Sequence, residues 1–141
     1  MKSLFLATAL LTSMSAFAEE WRRHTCVAEI NQESFKMDIY STWDRCIGVE
    51  AGMTFKAKAK TTVNGVSRMI TGKETESHFD SEYVFNNIHS KYQGKVVMDI
   101  LNDFEANSYE GRGTYYPRVG NALSMRLTCH IGNPVGTGCE D

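Results

Sequence analysis

From Phe35 to Trp43 every second residue, Phe35, Met37, Ile39, Ser41 and Trp43, is apolar or small, and polar residues fill the places between. The same period of two returns at Met53, Phe55, Ala57 and Ala59. It returns again where Leu123, Met125, Leu127, Cys129 and Ile131 alternate with Ser124, Arg126, Thr128 and His130. Alternation over this length belongs to antiparallel strands with one dry and one wet face. Three further stretches, "SEYVFNNI", "KVVMDIL" and "YEGRGTYY", are separated by the polar segments "SKYQG", "NDFEANS" and "PRVGN". About eight short strands at such spacing predict an all-β fold, an antiparallel up-and-down β-barrel or a sandwich. No segment carries a convincing helical period, although "NNIHSKY" and "EEWRRH" leave room for a short helix. Two prolines, no repeat and no low-complexity tract indicate one domain.

The first 18 residues read as an address rather than as structure. "MKSLFLATALLTSMSAFA" has a basic start at Lys2, an apolar run from Leu4 to Leu11, and the small-residue ending Ala16-Phe17-Ala18. That is the layout of a cleavable secretory signal, and it is too short to span a bilayer. The expectation is therefore an exported domain over residues 19–141, periplasmic or extracellular, with no membrane span. Losing Lys2 leaves 14 basic against 17 acidic residues, a net charge of about −3. This mild acidic balance argues against nucleic acid as a partner.

Four cysteines, Cys26, Cys46, Cys129 and Cys139, all follow the signal. In an oxidising compartment an even count reads as two disulfides, with three possible pairings. No Cys-x-x-Cys spacing suggests zinc. If "TCVAEI" and "FKMDIYSTW" pair across "NQES", Cys26 faces Ile39 and Cys46 lies about seven residues too far along the ladder for a bridge at roughly 3.3 Å per residue. Both remaining pairings tie the ends of the chain together. Cys26–Cys129 with Cys46–Cys139 is preferred over Cys26–Cys139 with Cys46–Cys129, because a closing barrel sets its first and last strands side by side.

The stretch "GMTFKAKAKTTVNGVSRMITGKETE", Gly52 to Glu76, predicts a hairpin about Asn64-Gly65. Counting outward from the turn, Ala59 faces Ile70, Ala57 faces Gly72, and Phe55 faces Glu74. On the other face Lys60 meets Met69, Lys58 meets Thr71, and Lys56 meets Lys73. A solvated face that discourages edge pairing accounts for such lysines. An anion-binding patch of Lys56, Lys58, Lys60 and Lys73 is the sharper expectation, because two lysines directly opposite repel unless something negative lies between them.

The dry face has small residues, Ala57, Ala59 and Gly72, and "YEGRGTYY" sets Gly111 and Gly113 between Tyr109 and Tyr115. Bulky neighbours such as Trp43, Phe85 or Met98 fill the space left by such residues, or the space is a ligand cavity. Glu74 and Glu76 share this face and, if inward, need partners or access to water.

Catalytic patterns are weak. His24, His78, His89 and His130 sit in no nucleophile motif, and "SHFDSE" and "NDFEANSYE" match no calcium loop. The functional expectation is a non-enzymatic exported barrel, without cofactor or metal, that binds an unidentified ligand or protein partner, an anionic one if the lysines are the site. The alternatives are a protease or hydrolase inhibitor or adhesion module acting through its loops, and a hydrolase using Glu74 and Glu76.

Overall fold

Two of the turns hold two consecutive residues at positive φ, Asn31 (52°) with Gln32 (69°) and Asn64 (50°) with Gly65 (79°). This geometry matches the right-handed twist of the strands it joins, so each turn starts a tight hairpin. A computed structural model describes residues 21–41, 52–77, 80–101 and 107–132. The strands are β1 (Trp21–Ile30), β2 (Glu33–Ser41), β3 (Thr54–Val63), β4 (Val66–Glu76), β5 (Asp80–Asn86), β6 (Gly94–Leu101), β7 (Tyr109–Pro117) and β8 (Leu123–Ile131). They pair in sequence order and β1 pairs with β8, so the fold is a closed antiparallel up-and-down barrel of eight strands. The sandwich alternative is set aside by that closure. Trp21–His24 of "EEWRRH" belong to β1, and "NNIHSKY" forms a turn with a bridge between His89 and Tyr92 rather than a helix.

The β3–β4 register is the one the sequence predicts, from Val63 opposite Val66 out to Phe55 opposite Glu74 and Lys56 opposite Lys73. The β1–β2 register differs from expectation. The turn is the two-residue Asn31-Gln32 rather than "NQES", so Cys26 faces Met37 instead of Ile39. Asparagine and glutamine accept positive φ here, and the tighter turn pairs Ile30 with Glu33 and extends the ladder. Cys26 and Cys129 are direct partners where β1 meets β8, and they form a disulfide across the closing seam. Cys46 and Cys139 lie outside the described residues, as do residues 1–18, Trp43 and His78.

Small inward residues are matched by large neighbours. A Cβ on Gly72 would run into the Val84 carbonyl and the Phe85 ring, and one on Gly113 would lie 3.1 Å from Met98 Cγ. Phe85 and Met98 thus occupy the space that glycine vacates. At the end of the barrel that carries the tight turns, the β5–β6 connection folds Ile88 and Tyr92 into the core. Tyr92 packs against Phe35 (ring centroids 4.9 Å apart) and edge-on to Tyr115 (5.6 Å). The Tyr115 hydroxyl donates to the Gln93 carbonyl (2.8 Å), and the Tyr92 hydroxyl donates to Glu33 Oε2 (3.1 Å). Burial, aided by the Glu33 carboxylate, raises the Tyr92 phenol to about 12. Lys91 pairs with the same carboxylate and holds it below the usual range.

Candidate functional site

The two faces of the β2–β3–β4 wall carry different chemistry. Inward, toward the end opposite the tight turns, polar side chains gather where an all-apolar core would be cheaper. Glu74, Tyr83, His24 and Ser81 are fully buried there, and Ser41, Glu76 and Tyr109 nearly so. Ser41 donates to Glu74 Oε1 (2.5 Å), Tyr83 donates to Glu74 Oε2 (2.6 Å), and Ser81 donates to Glu76 Oε1 (2.8 Å). His24 lies 3.1 Å through Nε2 from the Tyr83 oxygen and 2.5 Å through Nδ1 from the Tyr109 oxygen. Tyr83 has one proton and gives it to Glu74, so His24 Nε2 carries the hydrogen it donates to Tyr83. The result is a chain of bonds running from His24 through Tyr83 to the carboxylate.

Local sequence explains how these groups come inward. Strand alternation sends Glu74 and Glu76 to the same face, and no bulge at Gly72 reverses it, because β4 stays in register with both neighbours. In β1 the register slips between Arg22 and His24. Bulges of this kind re-aim the next side chain, and here that side chain is His24. Sequence reasoning picked out Glu74 and Glu76 but not their partners. Ser41 and Tyr109 stood on dry faces in the pattern, yet nothing local ties them to His24 or Tyr83.

Outward, the same strands form a basic wall. Lys56, Lys60 and Lys73 are exposed and Lys58 is half-buried. Lys56 stands opposite Lys73, Lys58 opposite Tyr40, and Lys60 opposite Asp38. Alternation along β2 adds exposed Lys36 to this face. Lys36, Lys60 and Lys73 form an ion pair with no described residue. All four lysines expected from the sequence therefore lie on one wall, in the cross-strand order that was counted.

Asp38 is the anomaly of that wall. It sits on the outer face between Thr25 and Lys60, yet it is only 5% exposed, and its Oδ1 has no hydrogen-bond partner. Nothing in the hairpin count marks it, because "FKMDIYS" reads simply as alternation.

The rest of the described surface is mixed in charge. On β5 and β6, Asp80, Glu82 and Asp99 lie close, and Asp99 is held above the usual carboxylate range by partial burial and then by those two neighbours. A groove of about 410 Å³ on the β1–β8–β7 wall mixes Glu29 and Glu110 with Arg112 and Arg126, which face each other across β7 and β8. Tyr109 and Tyr115 point inward and Tyr116 is exposed. His130 is exposed and donates through Nδ1 to the Asn107 carbonyl (2.8 Å). Among the described residues no group of three or more His, Cys, Asp or Glu side chains is arranged to hold a metal ion, and no helix is long and apolar enough to cross a membrane. Comparison with protein families, with curated proteins and with solved structures finds no match.

Proposed function

We propose that this protein is an exported, non-enzymatic binding barrel whose basic β2–β3–β4 wall takes an anionic partner. The observation that supports this most is that exposed Lys36, Lys60 and Lys73, none ion-paired with a described residue, share one wall with Lys56 and Lys58. Lysines gathered on one face of a protein of net negative charge concentrate positive potential there. The disulfide across the β1–β8 seam fits an oxidising compartment and is compatible with export.

Titration with dextran sulfate at increasing salt tests the reading. Binding should weaken steeply with salt, since exposed charges are screened over about 8 Å at physiological ionic strength. Replacing Lys56, Lys58, Lys60 and Lys73 together by glutamine should abolish it with the fold intact. A quadruple variant that binds as tightly as the parent at every salt concentration sinks the proposal.

The interior network favours a second reading, a small polar ligand taken at the end of the barrel opposite Tyr92. Buried carboxylates and histidine are costly in a core whose only task is stability, and apolar replacements of similar size are often neutral or stabilising. That end holds Ser41, Glu74, Tyr83, His24 and Tyr109, while the other end is filled by Phe35, Ile88, Tyr92 and Tyr115.

A further inference from the structure

We infer that the partner of the basic wall is an acidic carbohydrate, recognised by Asp38 and Tyr40 as well as by the lysines. The inference rests on the anionic-partner reading above. An electrostatic patch alone gives no role to Asp38, because a carboxylate amid lysines weakens the field that would attract a polyanion. Yet Asp38 stands on β2, at the margin of the wall toward β1, with Lys36 and Tyr40 two residues away along the strand and Lys60 directly across on β3. Its side chain is shorter than those three and its Oδ1 is covered, so a ligand's donor reaches it only when the side chains over it move aside. Its Oδ1 is a buried acceptor without a donor, and such atoms are rare because each forgoes a hydrogen bond.

The missing donor must be neutral or positive, and it must come with negative charge for the lysines. A uronic acid or sulfated sugar offers both, since its hydroxyls donate while its carboxylate or sulfate accepts from ammonium groups. Tyr40 completes the set. It is half-buried on the outer face opposite Lys58 and beside Asp38, and a phenol ring there supplies a flat apolar surface for the C–H face of a sugar ring. Along β3, Lys56, Lys58 and Lys60 repeat at about 6.8 Å, two strand residues apart, which suits a linear chain lying along the strand.

An acidic peptide fits less well. Peptides commonly bind a sheet by adding a strand to its edge, and this sheet closes on itself with β1 paired to β8. A peptide would be held by its side chains alone.

The test compares oligogalacturonate, polyglutamate and phosphatidylcholine vesicles doped with phosphatidylserine, using the parent, Asp38→Asn and Tyr40→Leu proteins. The parent should bind oligogalacturonate more tightly than polyglutamate of equal charge. Asp38→Asn should weaken the sugar about tenfold, since a neutral hydrogen bond replaces a charge-assisted one, and should leave polyglutamate unchanged or tighter. Tyr40→Leu, which keeps every charge, should also weaken only the sugar. If Asp38→Asn tightens both polymers and Tyr40→Leu changes neither, the wall reads charge alone; the carbohydrate inference then fails while the anionic reading stands. Preference for the vesicles, or for polyglutamate, overturns it in favour of a lipid or protein partner. If the parent binds none of the three, the anionic reading falls with it. Melting temperatures of both variants, read alongside, separate lost binding from lost fold.

Discussion

Replacing Tyr83 by phenylalanine takes one oxygen from the middle of the interior network and leaves the ring in place. That oxygen donates to Glu74 Oε2 at 2.6 Å and lies 3.1 Å from His24 Nε2, in a position with no solvent exposure. A hydrogen bond to a charged group is worth about 1.5–3 kcal/mol, and the weakened His24 contact adds a smaller amount, so the expected loss is about 2–4 kcal/mol. At roughly 3 °C per kcal/mol for a domain of this length, the melting temperature should fall by about 6–12 °C. Glu74→Gln and the double variant complete a cycle, measured by urea denaturation at neutral pH. The coupling between the two positions should be at least about 1 kcal/mol, as for other residues in one hydrogen-bonded network. A Tyr83→Phe change below about 0.5 kcal/mol, the range of ordinary surface substitutions, would falsify the account of Glu74 as a buried carboxylate held by Tyr83.

Two further outcomes follow from other parts of the barrel. Replacing Cys26 and Cys129 together by serine opens a loop whose ends are 103 residues apart in sequence, and should cost about 2–5 kcal/mol; non-reducing peptide mapping should recover the Cys26–Cys129 pair, and a Cys26–Cys46 peptide in its place would contradict the β1–β8 seam. Tyr92 gives a pH signature, because its phenol is raised from 10 to about 12, mainly by burial and next by Glu33. A raised folded-state value means that its contribution to stability is full below pH 10 and is lost as pH climbs through 12. The stability difference between the parent and Tyr92→Phe should therefore hold up to pH 10 and shrink between pH 10 and 12, and a difference that grows across that interval would refute the assignment.

How far the sequence reaches depends on how local each feature is. Strand periodicity is a property of consecutive residues, so a fold of about eight strands, the wet face of Lys56, Lys58 and Lys60, and the shared face of Glu74 and Glu76 were legible without coordinates, while the unbroken β4 register settled that this face points inward. The Asn64-Gly65 turn carried the whole β3–β4 register, since a two-residue hairpin leaves only one way to count outward. The seam disulfide was legible for a similar reason, because closing a barrel in sequence order brings first and last strands together.

Asn31-Gln32 shows where this reading stops. Neither residue is glycine, both take positive φ, and the ladder shifts by two against the four-residue turn that "NQES" suggests. Asp38 was equally silent, because alternation says which face a residue is on and not how deeply its neighbours recess it. The interior network was the least legible of all. His24 meets Tyr83 and Tyr109 across 59 and 85 residues of sequence, and those meetings follow from the tilt and stagger with which eight strands close. The sequence alone thus determined the strands, their faces and the turn-fixed register of one hairpin, which depend on backbone alternation within each segment. Only the tertiary structure decided which inward groups hydrogen-bond and which outward carboxylate oxygen is left without a donor, because barrel closure is a property of all eight strands together.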